Sequence, residues 1–316
     1  MRILVTGASG YVGYAVGRRL IADGHEVTGL VRRADRPLPR GVRPVIADLL
    51  DPFGLDSTLH ETYDGVCHLA ARTRVRESFT DPLGFFTANV QGTINLLGAL
   101  PTVRPDGSPA PAPAVVYGST AAVYGTPERQ PVPETETPSP TSPYGASKLA
   151  AEQVIRFHAR TGAIGAIVLR TFNVAGSVDG RPDPDETRLI PKALAVAAGR
   201  APHLTINGDG AAVREYLHVD DLASAYARAL EAARPGTDRV YNVGSGTGTS
   251  VREVIRTVEE VTGRPVPTRH DPPQPEPPLL VADCTAVRRD LGWRPERSGL
   301  SEMIADSWAA LSPEAG

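Results

Sequence analysis

The N-terminal half of the chain alternates short apolar segments with longer segments of helical periodicity. Apolar residues at i, i+3 and i+4 predict helices over Tyr11–Asp23, Pro82–Leu100 and Pro143–Thr161. The apolar segments show almost no polar alternation, which is typical of strands in a parallel sheet covered on both faces. They are Ile3–Thr6, Val27–Val31, Val42–Ala47, Gly65–Ala70, Ala114–Gly118 and Ile164–Arg170. The alternation predicts an α/β fold, a Rossmann-type doubly wound parallel sheet.

Beyond Arg170 the alternation becomes shorter and less regular. Helices are predicted at Leu189–Ala198, Val219–Ala232, Val251–Val261 and Leu300–Leu311, with strand fragments at Leu204–Ile206 and Arg239–Asn242. A run of prolines predicts an extended strap over His270–Pro278. We therefore expect a dinucleotide-binding domain over 1–172, to which 213–243 returns, and a smaller interleaved C-terminal lobe over 173–212 and 244–316.

Composition narrows the class of protein. The net charge is −3 over 316 residues, so the chain offers no basic field for nucleic acid. No apolar segment approaches the roughly 20 residues of a membrane span, and the N-terminus lacks a signal-peptide pattern. Only Cys67 and Cys284 are present, without the spacing of a metal site. We expect a soluble cytoplasmic protein that holds no metal.

The first strand is followed at once by a glycine-rich turn that opens a helix. Its glycines are Gly7, Gly10 and Gly13, and Ser9, Tyr11 and Val12 lie between them. Glycine permits a tight turn and close approach of the backbone to a pyrophosphate, while the helix N-terminus supplies amide donors. The spacing is Gly-x-x-Gly-x-x-Gly rather than Gly-x-Gly-x-x-Gly. This position, between a strand and a helix, predicts a dinucleotide site.

The end of the second strand bears on the choice of dinucleotide. An acid there would hold the ribose hydroxyls of NAD, but this chain has Arg32 and Arg33. Arginine pairs with phosphate in a fork, which favours the 2′-phosphate of NADP. The alternative is two solvated arginines in an arginine-rich chain that binds NAD. The cofactor is therefore predicted to be NAD or NADP, with NADP slightly favoured.

A candidate catalytic group combines a strand end with the start of a helix. Tyr144 and Lys148 are four residues apart, so they share one helix face, and the ammonium can lower the pKa of the phenol. Thr120 ends the fifth strand and can bond to the same substrate oxygen. Lys148 is one of only two lysines in the chain. The pattern predicts a tyrosine that acts as a base on a hydroxyl.

These motifs resemble the extended branch of the short-chain dehydrogenase/reductase superfamily. Within it, the chain is most similar to the UDP-galactose 4-epimerase group of nucleotide-sugar enzymes, through 119–125, 142–148, 170–173, 213–221 and 241–244. The resemblance implies that Tyr144 and Lys148 also contact the cofactor. It implies further cofactor contacts by Asp48, Leu49, Leu69, Ala70, Ala71 and Asn89.

The resemblance also implies substrate contacts. Asn173 and Arg214 should face the diphosphate, and Arg188, where relatives carry asparagine, can add phosphate charge. The C-terminal arginine of the group is replaced by a segment in which Glu276 is the remaining ribose partner. In the loop after the fourth strand, Thr73 and Arg76 lie where a sugar would bind. Arg76 suits a substrate carboxylate, but a solvated basic loop is the favoured interpretation.

The resemblance implies a nucleotide-sugar epimerase that oxidises a hydroxyl, at carbon 4, to a transient ketone. Related dehydratases place Asp-Glu after the Ser-Thr pair, whereas this chain has Ala121-Ala122, which disfavours dehydration. The alternatives are an NADPH-dependent 4-keto-sugar reductase and a dinucleotide-sensing scaffold without catalysis. We also expect a homodimer formed by Pro82–Leu100 and Pro143–Thr161, because both segments carry apolar residues on a second face. Those residues are Phe85, Phe86, Leu97, Leu149, Val154 and Phe157.

Overall fold

The computed structural model describes residues 1–104, 106–273 and 277–311. The chain forms two compact units. The first comprises Met1–Gly125, Thr137–Thr171 and Ala223–Tyr241, and the second comprises Thr126–Glu136, Phe172–Leu222 and Asn242–Gly316. The predicted division placed 126–136 and 213–222 with the dinucleotide-binding domain, whereas their contacts group both segments with the second unit.

The strands of the described residues are numbered in chain order. They are β1 Arg2–Thr6, β2 Glu26–Val31, β3 Arg43–Ile46, β4 Gly65–His68, β5 Ala114–Thr120, β6 Gly165–Thr171, β7 Asn173–Ala175, β8 Ser177–Val178, β9 Arg181–Pro182, β10 Leu204–Asn207, β11 Val213–His218, β12 Asp238–Val243, β13 Gly248–Ser250, β14 Thr268–Asp271 and β15 Leu279–Leu280. The six strands predicted in the N-terminal half are confirmed within a few residues at each end.

The predicted helices are present among the described residues, and three short helices that were not predicted occur beside them. In chain order the helices are α1 Tyr11–Ala22, α2 Pro52–Asp56, α3 Val75–Ser78, α4 Pro82–Phe86, α5 Gly92–Ala99, α6 Pro143–Arg160, α7 Leu189–Ala197, α8 Val219–Ala232, α9 Val251–Thr262, α10 Thr285–Leu291 and α11 Leu300–Leu311. The three that were not predicted are α2, α3 and α10. A π-helical turn covers Thr87–Gln91, and a 3₁₀ turn covers Ala121–Tyr124. None of these helices is long and apolar enough to cross a membrane.

A seven-stranded sheet has the order β12-β6-β5-β4-β1-β2-β3, which confirms the predicted α/β class. The chain runs from β1 outward to β3, and β4 then pairs with the other side of β1, so the direction of winding reverses between β1 and β4. Both strands are parallel, and Thr6 lies beside His68 at their carboxyl ends. Ligands of such sheets bind in the crevice at this reversal, which is where the glycine turn begins.

One prediction about the first unit is confirmed with an added detail, and one needs correction. The helix predicted over Pro82–Leu100 is continuous over residues 82–99, and a π-helical turn within it separates α4 from α5. Phe85 was expected on an exposed face, but it is fully buried. The centre of its ring lies 4.4 Å from the guanidinium of Arg72 and 6.4 Å from the centre of the Tyr144 ring, so these two side chains cover it. The exposed apolar residues of these helices are Leu83, Phe86, Ile94 and Phe157.

The second unit is built on smaller sheets. In one of them β11 pairs with β7, β13 and β15, and a separate pair joins β10 to β14. Asp221 organises the approach to α11, since its carboxylate accepts bonds from the backbone of Glu296 and Arg297 and from the Ser298 hydroxyl. The predicted strap over His270–Pro278 begins as the end of β14, and its residues 274–276 lie outside the described residues.

Candidate active site

The glycine turn forms a tight cradle between β1 and α1. Gly7 adopts φ +67°, and a Cβ there would lie 2.9 Å from the Ala70 amide nitrogen. A Cβ on Gly13 would overlap the Gly7 carbonyl. Gly10 caps α1 without a side-chain hydrogen bond, so no cap side chain satisfies the first amides of this helix. The shape and the amide donors fit the pyrophosphate of a dinucleotide, with Ser9, Tyr11 and Val12 in the same turn.

The residues predicted at the adenosine end are exposed. Arg33 is paired with Asp35 at 3.0 Å, whereas Arg32 forms no ion pair among the described residues. Asp48 follows β3, and its carboxylate accepts a bond from the Leu50 amide at 2.9 Å. Leu49 is buried in the core beside it. The two arginines therefore differ, because only Arg32 has a guanidinium free for another anion.

A series of buried hydrogen bonds links the glycine turn to α6. The Thr93 hydroxyl donates to the Asn89 carbonyl at 2.6 Å, so it accepts from Nε2 of His68 at 2.9 Å. The neutral ring then accepts from Thr6 at its Nδ1, at 2.8 Å, and the same Thr6 oxygen accepts the Leu69 and Ala70 amides. Burial and the charge of Lys148 lower the pKa of His68 to about 3, which keeps this ring neutral.

Asn89, which lies in the π-helical turn, continues this series of buried hydrogen bonds. Its side chain accepts from the Arg72 amide at 2.8 Å and donates to the Arg72 carbonyl and to Ser147, whose hydroxyl in turn donates to the Tyr144 carbonyl. The extra residue of a π-helical turn is often found at functional sites. Here the turn holds the buried Asn89 against both the loop after β4 and the first turn of α6.

The predicted catalytic residues lie at the start of α6 and at the end of β5. Ser142 caps α6 by accepting the Gly145 amide, and Pro143 occupies the first helical turn, so the helix begins at a fixed point. Tyr144 and Lys148 follow one turn apart on this helix, and both are buried. Thr120 is half-buried and accepts from the Ala122 amide at 3.2 Å. Burial lowers the pKa of Lys148 to about 7, against the opposing effect of Glu152.

Lys148 lies above an aromatic ring and forms no salt bridge with any residue in the described part of the chain. Its Nζ is 4.1 Å from the centroid of Tyr117 on β5. Glu152, one turn further along α6, is engaged by Arg170 in two bonds of 3.1 and 2.7 Å and by the hydroxyl of Ser119. All of these side chains are buried. The ammonium therefore faces a π surface, while the nearby carboxylate is neutralised by its own partner.

The loop after β4 and the short helix α3 that follows it carry four predicted or neighbouring polar residues, and Arg76 lies on α3. Arg72 is paired with Asp81, and Arg74 with Glu77 at 2.7 Å. Thr73 and Arg76 are exposed, and Arg76 forms no ion pair among the described residues. The alternating arginines are thus of two kinds, two held by acids on the same segment and one with a free guanidinium.

In the second unit, the predicted phosphate ligands hold contacts within their own fold. Arg188 is paired with Asp183 at 2.9 Å and with Asp185 at 3.4 Å. Arg214 donates to the carbonyls of Val213 and Pro277. Asn173 is exposed and donates to the Glu215 carbonyl at 3.1 Å. Glu276 lies outside the described residues.

Comparison with known proteins assigns the family. A model described as the NAD dependent epimerase/dehydratase family matches residues 3–244. The chain belongs to this family. It is 37% identical to the UDP-glucose 4-epimerase of Corynebacterium glutamicum, over 99% of this chain and 96% of that protein. It is 38% identical to the UDP-glucose 4-epimerase of Streptomyces lividans, over 97% and 95% respectively.

A solved structure extends the likeness of this epimerase/dehydratase family member to the fold. The UDP-glucose 4-epimerase of Stenotrophomonas maltophila superposes with a TM-score of 0.89, at 33% identity and over 100% of both chains. That protein was crystallised with bound NAD and formylated UDP-arabinopyranose. The similarity therefore covers both units and not the glycine turn alone.

The family contains both epimerases and dehydratases, and the 3₁₀ turn after Thr120 bears on the difference. Ala121 and Ala122 occupy its first two positions, so this turn presents no acid or base there. Among the described residues, no group of three or more histidine, cysteine or acidic side chains could hold a metal ion. The acid–base side chains brought together at this point are Tyr144 and Lys148.

Sequence reasoning missed the groups that surround Lys148. Tyr117, Glu152 and Arg170 lie in segments that were correctly predicted, yet none was singled out as part of the site. Glu152 lies four residues after Lys148, and Arg170 is a charge at the end of an apolar strand. Both were detectable signals, because a charge in a covered strand needs a buried partner. Tyr117 gave no signal, since an aromatic residue in a buried strand is ordinary core.

Proposed function

We propose that this chain is a UDP-glucose 4-epimerase that acts by transient oxidation at carbon 4 of the sugar. The observation that carries the proposal is the burial of Tyr144 and Lys148 one turn apart on α6, beside a strand that ends in Thr120. The family and the full-length similarity to UDP-glucose 4-epimerases support the substrate class. Dehydration is disfavoured because Ala121-Ala122 offers no acid or base.

The proposed mechanism begins with proton transfer at the Tyr144 hydroxyl. Its phenolate accepts the proton of the sugar 4-hydroxyl, and the Lys148 ammonium stabilises that phenolate. Thr120 donates a hydrogen bond to the same sugar oxygen as negative charge develops on it. The glycine turn would hold a dinucleotide, and reversible acceptance of hydride from carbon 4 is the chemistry that this cofactor would supply. After the sugar has turned, Tyr144 gives its proton back to the ketone oxygen as hydride is returned to the opposite face of carbon 4, and this hydride return inverts the configuration.

The second strand suggests that the cofactor site accepts NADP as well as NAD. Support comes from Arg32, whose guanidinium has no acidic partner among the described residues, and from the absence of a carboxylate at the end of β2. The structural relative contains NAD. We expect NADP to bind at least as tightly as NAD in a calorimetric titration. An Arg32→Ala variant should weaken NADP binding about tenfold and leave NAD binding unchanged, whereas tighter binding of NAD than NADP to the native protein would contradict this assignment.

The remaining cofactor and substrate contacts are part of the same proposal. Asp48, Leu49 and the segment Leu69–Ala71 would lie along the dinucleotide, with Asn89 positioning the site. Arg214 and Asn173 would bind the diphosphate, supported by Arg188 and by Glu276 at the ribose. Thr73 and Arg76 would lie beside the sugar. Arg214 and Asn173 already donate to backbone carbonyls, so substrate oxygens would have to share or replace those bonds.

The first experiment measures conversion of UDP-galactose to UDP-glucose by the purified protein. We expect turnover with no net change in NADH or NADPH, because hydride is removed and returned. A Tyr144→Phe variant should lose about 10²- to 10⁴-fold in kcat while still binding the cofactor. Consumption of one NADPH per product would favour the 4-keto-sugar reductase. Unchanged turnover in Tyr144→Phe would remove the tyrosine base from the mechanism.

We also propose a homodimer, formed through the exposed apolar face of α4, α5 and α6. Leu83, Phe86, Ile94 and Phe157 are between 38% and 79% exposed in the single chain. Apolar side chains of this size on neighbouring helices are unusual on a monomer, and two-fold pairing covers such a face. Light scattering should give about twice the 33.4 kDa of one chain, and a Leu83→Glu variant should reduce that mass. A native mass near that of one chain would contradict the dimer.

A further inference from the structure

The ammonium of Lys148 occupies an unusual environment for a charged group. Lys148 is 3% exposed and Tyr117 is 1% exposed, and the Nζ lies 4.1 Å from the ring centroid. This distance falls within the range at which a cation is attracted to the negative face of an aromatic ring. The attraction is strongest where water is excluded, as it is here. The contact joins β5 to α6 at the point where α6 presents Tyr144.

The nearest carboxylate does not supply an equivalent interaction. Glu152 raises the pKa of Lys148, but its oxygens accept two bonds from Arg170 and one from Ser119. A buried carboxylate that is already paired and hydrogen-bonded attracts a third group less than a free one. Lys148 therefore faces a nearly neutral ion pair on one side and the Tyr117 ring on the other.

The other titratable groups around this position offer no negative charge to Lys148. His68 on β4 has its ring centroid 5.5 Å from that of Tyr117 and is neutral. The remaining tyrosines nearby, Tyr124, Tyr144 and Tyr226, are buried, and Arg170 is a cation. On α3, Arg76 and Glu77 are exposed. The ring of Tyr117 is thus the group with favourable electrostatics that contacts the ammonium directly.

The hydroxyl of Tyr117 is buried, and it has no hydrogen-bond partner among the residues that the structure describes. A buried hydroxyl without a partner is unfavourable, so hydrogen bonding by this phenol does not explain the residue. Burial also raises its pKa well above the usual value for tyrosine, which keeps the phenol neutral. The face of the ring is the part that contacts another functional group.

We propose that the aromatic face of Tyr117 is a positioning element for Lys148, which holds the ammonium protonated and beside Tyr144. The inference rests on the proposed function, in which Lys148 stabilises the Tyr144 phenolate. In this proposal Tyr117 acts only through Lys148, the cation that its ring contacts. Weakening the attraction between the Tyr117 ring and the ammonium should therefore lower kcat and move the alkaline limb of the pH profile of kcat to lower pH, with KM unchanged.

The test replaces Tyr117 by phenylalanine and then by mono-, di- and trifluorinated phenylalanine in the full chain loaded with NAD. Fluorine withdraws electron density from the ring face while nearly preserving its shape, so packing is conserved as the attraction falls. We expect Tyr117→Phe to keep nearly full activity. The trifluorinated ring should move the alkaline limb by about one pH unit and lower kcat near neutrality about tenfold. The same fluorinated series at Tyr63, buried elsewhere in this core, is the matched control and should leave the profile unchanged.

A second measurement follows the protonation of Lys148 by NMR and does not depend on enzyme activity. The chain has only two lysines, so NMR of ¹³C-lysine protein gives two side-chain signals, and a Lys192→Arg variant assigns them. We expect the Lys148 signal to titrate at progressively lower pH along the fluorinated series, while Lys192 does not move.

The outcomes separate the two proposals. A protein that does not epimerise UDP-sugars, but whose Lys148 titration follows fluorination, overturns the proposed function and leaves the Tyr117 contact standing. An active protein whose pH profile and Lys148 signal are the same with every ring overturns the role of Tyr117. A Tyr117→Phe variant that loses as much activity as the trifluorinated ring would also overturn it, because the hydroxyl would then be the functional part.

Discussion

In the first unit the candidate catalytic side chains are buried at positions set by one helix and one strand end, whereas in the second unit the candidate phosphate ligands are exposed or half-buried. Lys148 is fixed by a ring and has no ion pair among the contacts described. Arg188, by contrast, is held by Asp183 and Asp185. The comparison shows that a buried cation in the first unit lacks a carboxylate partner, while this exposed arginine of the second unit has two.

Buried carboxylates also have different kinds of partner in the two units. In the first unit, Glu152 is balanced by the guanidinium of Arg170. In the second unit, Glu215 is equally buried but accepts only neutral donors, among them the amides of Gly246 and Ala282. Burial raises the pKa of Glu215 to about 7 despite those hydrogen bonds. The two regions should therefore respond differently to mutation and to pH.

The largest expected effect tests the buried cation of the first unit. Lys148→Met should reduce kcat by about 10²- to 10⁴-fold, because the Tyr144 phenolate loses the charge that stabilises it. Steady-state kinetics with UDP-galactose measures this loss. Lys192→Met, which changes the other lysine, is the control and should retain activity. Comparable activity in both variants would mean that the buried lysine has no privileged role.

The next effect concerns folding stability. Arg170→Met leaves the Glu152 carboxylate buried without its partner, which should cost about 3–5 kcal/mol in the free energy of unfolding. The matched change in the second unit is Arg252→Met, which removes an exposed ion pair with Asp209 and should lower the free energy of unfolding far less, because solvent screens that pair. Urea denaturation measures both. Equal losses would abolish the contrast between buried and exposed pairs.

A third prediction uses the pH dependence of Glu215. The folded protein holds this proton up to about pH 7, whereas the unfolded chain releases it near 4.5, so the folded state binds more protons between those values. Stability from this group is present below pH 4.5 and is lost as the pH rises through 7, by roughly 3 kcal/mol. Glu215→Gln should remove this slope in urea titrations at several pH values. A slope that persists in the variant would assign it to another group.

The smallest effect compares the two arginines of the second unit. Arg214→Gln should weaken UDP binding about tenfold, since a charge-assisted bond to phosphate is lost. Arg188→Gln should have a smaller effect, because Asp183 and Asp185 already compete for that guanidinium. Isothermal titration with UDP distinguishes the two. A larger loss in Arg188→Gln would show that this arginine leaves its acids to bind the ligand.

The sequence by itself determined the α/β order, the glycine turn, and the placement of Tyr144 and Lys148 on one helix face. Each of these depends on local sequence: continuous apolar runs in covered strands, 3.6 residues per helical turn, and glycine where the backbone must turn tightly. The six N-terminal strands were predicted for the same reason. Even so, local spacing did not reveal the π-helical turn around Asn89, because nothing in the apolar period of Pro82–Leu100 marks the extra residue.

Only the tertiary structure decided which charged groups are partners. The pairing of Arg170 with Glu152 and the contact of Lys148 with Tyr117 each join α6 to a strand of the seven-stranded sheet. The tertiary structure also decided that Phe85 lies in the core while Leu83 lies on the surface. Both are apolar residues on one short helix, so the sequence does not distinguish them. Spacing along a chain fixes directions on one element, but the partner of a side chain depends on which elements pack together.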